Sequence, residues 1–124
     1  MKSLYIIRGL PGSGKSTYAK SLAGVHFEAD DYFMHNGEYI FNGKELSRAH
    51  ESCRLNVLTA MLHGEETITV ANTFTTRKEM APYFDLAVKY NYLIRIVNCT
   101  GNYGSIHSVP EEAIERMRAR WEEI

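Results

Sequence analysis

Apolar and polar positions along this chain switch repeatedly between a strand-like and a helix-like period, and the switches predict its elements. "SLYII" (3–7) is an apolar, β-prone run, and "TYAKSLAG" (17–24) reads as a helix stopped by Gly24. "VHFEA" (25–29) suits a short edge strand, with His26 and Glu28 alternating outward. "MHNGEYIFNG" (34–43) reads as a surface turn or hairpin around Asn36-Gly37. From Leu46, the residues Ala49, Cys53, Val57, Ala60 and Met61 share one helical face, up to His63-Gly64. "TITVA" (67–71) is the next strand. Thr76 and Glu79 have capping-box spacing, and Met80, Tyr83, Phe84 and Ala87 follow as a buried stripe. Pro82 fits badly inside a helix, so this one is expected to start late or bend there. "YLIRIV" (92–97) is a fourth strand. A last helix runs from Pro110, with Glu111 and Glu112 first and Arg116, Arg118 and Arg120 towards its end, as the macrodipole favours. Ile114, Met117 and Trp121 form its expected inner face.

Strands alternating with helices mean parallel strands joined by right-handed crossovers. The expectation is therefore an α/β fold in three layers, a parallel sheet of about four or five strands covered by helices on both faces. Residues 1–124 are expected to be one domain, with ligands beyond the carboxyl ends of the strands. Composition agrees, since 44% hydrophobic and 23% charged residues describe a chain that folds. The net charge of −1 and pI near 6.5 exclude a long non-specific nucleic-acid footprint, which needs a basic surface. A short strand end, a nucleotide or a polyol still fits. No apolar run approaches a membrane span and no signal-peptide layout opens the chain, so a cytoplasmic location is expected. Cys53 and Cys99 lack metal-ligand spacing and read as packing residues.

Chemistry concentrates in "GLPGSGKST" (9–17). Gly9, Gly14, Lys15 and Ser16 fill G-x-x-x-x-G-K-[ST], the phosphate-loop pattern, between a strand and a helix. The glycines let successive backbone N–H groups turn inward around phosphate oxygens, and the helix start adds partial positive charge. Pro11, Gly12, Ser13, Gly14, Lys15, Ser16 and Thr17 are thus the candidate nucleotide-binding residues. Lys15 is expected to reach the β- and γ-phosphates, and the Ser16 hydroxyl to hold Mg²⁺. A second constellation is "EADDYF" (28–33), which puts Asp30 and Asp31 at the carboxyl end of the second strand. A carboxylate there can accept the proton of an attacking hydroxyl or hold a water on Mg²⁺. Capping of a turn by one of the pair is the other reading.

These stretches, with "NTFTTRKEMAPY" and "HSVPEEAIERMRARWE", resemble the small AAA-type P-loop kinases around phage polynucleotide 5′-kinase, relatives of zeta toxins and gluconate kinases. The resemblance covers nearly the whole chain. It implies a P-loop NTPase fold, ATP with Mg²⁺ as cofactor, and transfer of the γ-phosphate to a hydroxyl, with the 5′-OH end of DNA or RNA as the leading acceptor. Asp30 matches the family's general base and joins Ser16 on the metal side, while Asn72 and Thr73 match the "NT" near its active site. Two departures stand out. Ala71 occupies the position where relatives carry an acid, and the lid is truncated to "CTGNYGSIHS" (99–108), without its arginine. Losing such an arginine costs about 10³–10⁵ in rate in analogous enzymes. Arg77, or the His50/Arg54 pair one helical turn apart, are the candidate substitutes. Tyr103 is a candidate for stacking on a base, and His107 for touching the nucleotide. Two other functions stay open. One is a kinase of a small molecule or modified base, and the other is a nucleotide-binding or slow ATPase module acting through a partner. Oligomeric state is left undetermined.

Overall fold

The computed structural model describes residues 1–104 and 109–124. In chain order its elements are β1 (Ser3–Arg8), α1 (Lys15–Lys20), β2 (Val25–Phe27), β3 (Met34–His35), β4 (Glu38–Tyr39), α2 (Leu46–Leu62), β5 (Thr67–Asn72), α3 (Arg77–Tyr90), β6 (Leu93–Asn98) and α4 (Glu111–Ala119). A 3₁₀ turn, Ala29–Phe33, follows β2. Strands β2, β5, β1 and β6 lie side by side in that order, all parallel. The chain leaves β1 towards one edge and later crosses to β6 on the other side. The carboxyl end of β1 is therefore the switch point where an α/β sheet opens a crevice.

Alternation along the strands builds two cores. Leu4 and Ile6 of β1 and Ile68 and Val70 of β5 pack on one face against Ala49, Cys53 and Val57 of α2 and Met80, Tyr83 and Ala87 of α3. Each such fully buried aliphatic side chain contributes about 1.5–3 kcal/mol. On the other face Ile7, Ala71 and Ala19 of α1 form a smaller core, bordered by Tyr5, Leu22 and Val97. This is the expected layering, with helices on both faces. The hairpin also forms as expected: Asn36 and Gly37 both take positive φ, 51° and 84°, and join β3 to β4. Thr76 and Glu79 exchange both capping-box bonds at the start of α3.

Several expectations shift. Helix α1 begins at Lys15 and ends at Lys20, earlier at both ends than 17–24, because the phosphate-loop turn itself starts the helix. Strand β2 stops at Phe27, since Ala29–Phe33 is already a 3₁₀ turn. Helix α3 starts at Arg77 and runs to Tyr90 with Pro82 inside it. The capping box sets its start, so the proline neither delays nor divides it. Leu46 is 43% exposed rather than on the buried face of α2, being the helix's first residue. Helix α4 buries none of its residues fully. Its successor Trp121 lies over Arg8 instead, 3.9 Å from ring centre to guanidinium carbon.

Arg8, the last residue of β1, is fully buried. Its Nε donates to the Phe74 carbonyl at 2.9 Å, Nη1 to Asn98 Oδ1 at 3.1 Å, and Nη2 to the carbonyls of Thr75 and Glu122 at 3.3 and 2.7 Å. One guanidinium thus ties β1 to the ends of β5 and β6 and to the C-terminal tail. Arg8→Met keeps the packed stem and removes all these donors, leaving the buried Phe74 carbonyl unsatisfied at about 1–3 kcal/mol and losing the other three bonds. Urea unfolding should show a loss of at least about 2 kcal/mol, and an unchanged midpoint would mean these bonds add nothing.

Candidate functional site

Gly9 continues β1 into the phosphate loop, its N–H donating to the Thr73 carbonyl at 3.3 Å. The turn needs backbone that only glycine adopts freely: Gly12 sits at φ 82° and Gly14 at φ 92°, the latter as N-cap of α1. Between them Ser13 is buried, and its hydroxyl has no hydrogen-bond partner among the described residues. Pro11, Gly12, Gly14, Lys15 and Ser16 are half-buried, and Thr17 is exposed. Lys15 Nζ bonds back onto the Leu10 carbonyl at 3.3 Å. Burial lowers the Lys15 pKa, only partly opposed by the charges of Glu28 and Asp30. The loop therefore holds a poorly solvated ammonium that no carboxylate contacts among the described residues.

The Ser16 hydroxyl lies 3.0 Å from each oxygen of Glu28, which stands just past the end of β2. His26 Nε2 is 2.9 Å from Glu28 Oε2. Burial opposes the Glu28 charge, yet the adjacent His26, the Ser16 hydroxyl and Lys15 together hold its pKa below the usual glutamate value. Asp30 is half-buried on the 3₁₀ turn and accepts a bond from the Tyr39 hydroxyl at 3.2 Å. Burial and then the Asp30 charge push the Tyr39 phenol up to about 12, so it remains a donor. Of the two aspartates, Asp31 takes part in capping: its carboxylate accepts the Glu28 N–H at 3.2 Å, in a capping box with Glu28. Asn72 is buried, and its Oδ1 accepts the Ala29 N–H at 2.8 Å, which fixes the backbone just before Asp30.

Lys15, Ser16, Glu28 and Asp30 are thus brought together, whereas Arg77 is engaged elsewhere. The Arg77 N–H donates to Glu122 Oε1 at 2.7 Å and its guanidinium to the Glu123 carbonyl at 3.0 Å. Its polar contacts go to the tail rather than to the phosphate loop. His50 is half-buried on α2, and burial lowers its pKa, with Arg54 adding to the effect and Glu79 and Asp30 opposing it. Tyr103 is 80% exposed and its N–H donates to the Gly12 carbonyl at 2.8 Å. A Cβ at Gly14 would come within 3.1 Å of its ring, so Tyr103 lies against the phosphate loop. His107 lies outside the described residues.

Oxygen donors such as the Ser16 hydroxyl suit Mg²⁺. Among the described residues no group of three or more His, Cys, Asp or Glu could hold a metal ion. A cation here would therefore take most of its ligands from phosphate and water.

The family model described as AAA domain matches residues 4–124. The chain belongs to that family. Its fold is that of P-loop kinases. It is 37% identical to human NEDD4-binding protein 2 over 92% of its length, and it spans only 7% of that protein. Among solved structures, a chain of the Pnkp1/Rnl/Hen1 RNA repair complex has a TM-score of 0.61 at 20% identity, over 96% of this chain and 43% of that one. Mycobacterium tuberculosis APS kinase bound to AMPPNP and APS has a TM-score of 0.56 at 16% identity, over 93% of this chain and 67% of that one. No described helix is long and apolar enough to cross a membrane.

Lys15 is the costly member of this site in the absence of ligand. A lysine with a depressed folded-state pKa destabilises the fold while protonated, and the penalty fades as pH rises towards its ordinary 10.5. Lys15→Met should therefore raise the stability of the ligand-free protein by about 1 kcal/mol near pH 7, less at higher pH, as is common at functional sites. Thermal melts across pH check this, and a lower melting temperature for the variant would contradict it.

Proposed function

We propose that this chain is an ATP-dependent phosphotransferase that moves the γ-phosphate to a hydroxyl, with the 5′-OH end of DNA or RNA as acceptor. The observation that carries the reading is Lys15, a desolvated ammonium held on a backbone carbonyl inside a loop whose glycines open its amides. A triphosphate offers that cation the counter-charge it lacks. In this reading residues 11–17 cradle the phosphates, Lys15 follows the β- and γ-oxygens, and Ser16 holds Mg²⁺, which neutralises developing charge. Asp30 accepts the acceptor's proton, oriented by Tyr39 and by Asn72 through the Ala29 N–H. Tyr103, exposed beside Gly14, offers its ring to a nucleobase. Likeness to a protein of an RNA repair complex supports a nucleic-acid acceptor.

The placement of Arg77 favours a second reading. Bound to the tail, it supplies no charge to a transferring phosphoryl group, which suits a module that binds nucleotide and hydrolyses it slowly. Arg77 enters the first reading only when the tail releases it.

γ-Labelled ATP and Mg²⁺, offered with 5′-OH oligonucleotides, nucleosides and polyols, separate the readings. Labelled oligonucleotide is expected, and label on free phosphate alone would support the second reading. Asp30→Asn should cut transfer by about 10²–10⁴ while nucleotide affinity stays within a few-fold, as for a general base. Equal loss of both would remove Asp30 from that role.

A further inference from the structure

P-loop enzymes of the Ras and ATPase type hold Mg²⁺ between the loop hydroxyl and a carboxylate at the end of a neighbouring strand. Here β5, the strand beside β1, carries Ala71 where relatives carry that acid, buried against Ile7 and Ala19. No acid of β5 can meet Ser16, because "TITVAN" contains none. The Ser16 hydroxyl nevertheless has a carboxylate, and it comes from one strand further out, just past the end of β2. Both Glu28 oxygens lie 3.0 Å from Ser16 Oγ.

We propose that Glu28, joined to the Ser16 hydroxyl and packed against His26, replaces the missing β5 acid and completes the magnesium side of the nucleotide site. The assignment rests on the phosphotransferase reading above. Glu28 accepts the Ser16 proton and so leaves the oxygen lone pairs of Ser16 free for the cation. It also places a full negative charge beside the loop, which favours a magnesium–nucleotide over the bare anion.

Three observations fit this role better than simple turn capping. Its side chain is 14% exposed and its carboxylate meets an imidazole, a hydroxyl and, through the capping box, the Asp31 N–H. A capping residue needs only the last of these. The neighbouring Asp30 bonds to Tyr39 instead, so two carboxylates of one turn face different tasks. His26 lies two residues before Glu28, and its Nε2 stands 2.9 Å from Glu28 Oε2, so the imidazole packs directly against the carboxylate. A partner fixed in this way behaves as an outer-shell group, whose loss typically lowers metal affinity about 10–100-fold.

The test is calorimetric titration of ATP, once with Mg²⁺ and once with chelator, into wild type, Glu28→Gln, Ser16→Ala and the double variant. Glu28→Gln keeps the size and acceptor oxygen that the turn uses. It should weaken magnesium–ATP binding about tenfold or more, while metal-free ATP binds as well or better because a nearby negative charge has gone. In the Ser16→Ala background the same change should cost far less, since the two groups act as a unit. Competition by Mn²⁺, followed by its electron paramagnetic resonance on the protein–nucleotide complex, should show the same loss. A variant that binds magnesium–ATP and free ATP in the wild-type ratio overturns the role of Glu28 and leaves the phosphotransferase reading intact. Equal weakening of both forms likewise overturns it, as the mark of a purely structural glutamate. Wild type that takes up no nucleotide overturns both.

Discussion

Every parallel strand of this sheet ends at the same edge, and the buried guanidinium of Arg8 joins the ends of β1, β5 and β6. Burying a cation is costly, and here the cost is met by carbonyls of Phe74, Thr75 and Glu122 and the side chain of Asn98. The indole of Trp121 covers its face at 3.9 Å. The acceptor from Phe74 is informative, because that residue is a buried aromatic at φ 46°. Such backbone typically costs about 1–3 kcal/mol and persists only where surroundings fix it. Arg8 holds its carbonyl, and the Phe74 ring meets Tyr83 edge-on at 5.4 Å between centroids. Because Gly9 follows Arg8 and bonds to Thr73, the phosphate loop inherits its position from this junction.

On that frame the site is arranged so that charges are kept short of full satisfaction. Lys15 is desolvated and bonds to the Leu10 carbonyl, the Ser13 hydroxyl is buried without a partner among the described residues, and two carboxylates approach from the end of β2. Such an arrangement costs stability in the ligand-free protein, which is the usual signature of a binding site. The proposed ligand, a magnesium–triphosphate, brings anionic oxygens for Lys15 and the loop amides and a cation for the Ser16 side. Separation of tasks along one turn follows from geometry: Asp31 caps, Glu28 meets Ser16, and Asp30 meets Tyr39.

Period alone makes the architecture legible. The four strands of the sheet, α2 and the capping box at Thr76 all follow from spacing, and the hairpin from Asn36-Gly37. What spacing misses are contacts made across the sheet's edge. A lone arginine closing an apolar strand gives no hint of acceptors 66 to 114 residues away. Arg77 reads as a free first-turn cation because its tail partners lie 45 and 46 residues later. Glu28 was within reach of the sequence: His26 and Glu28 alternate on an edge strand, which already places both on one face. The pair of aspartates beside them drew the chemistry to Asp30 instead. Phosphate-loop residues are legible for the opposite reason, since their chemistry needs consecutive backbone groups and so leaves a local pattern.

A crystal structure with the non-hydrolysable analogue AMPPNP and Mg²⁺ tests the central claim most directly. The account predicts β- and γ-phosphates enclosed by the amides of residues 12–16, with Lys15 Nζ moved from the Leu10 carbonyl onto them. Nucleotide bound elsewhere, or a loop that stays closed with Lys15 still on Leu10, would contradict it.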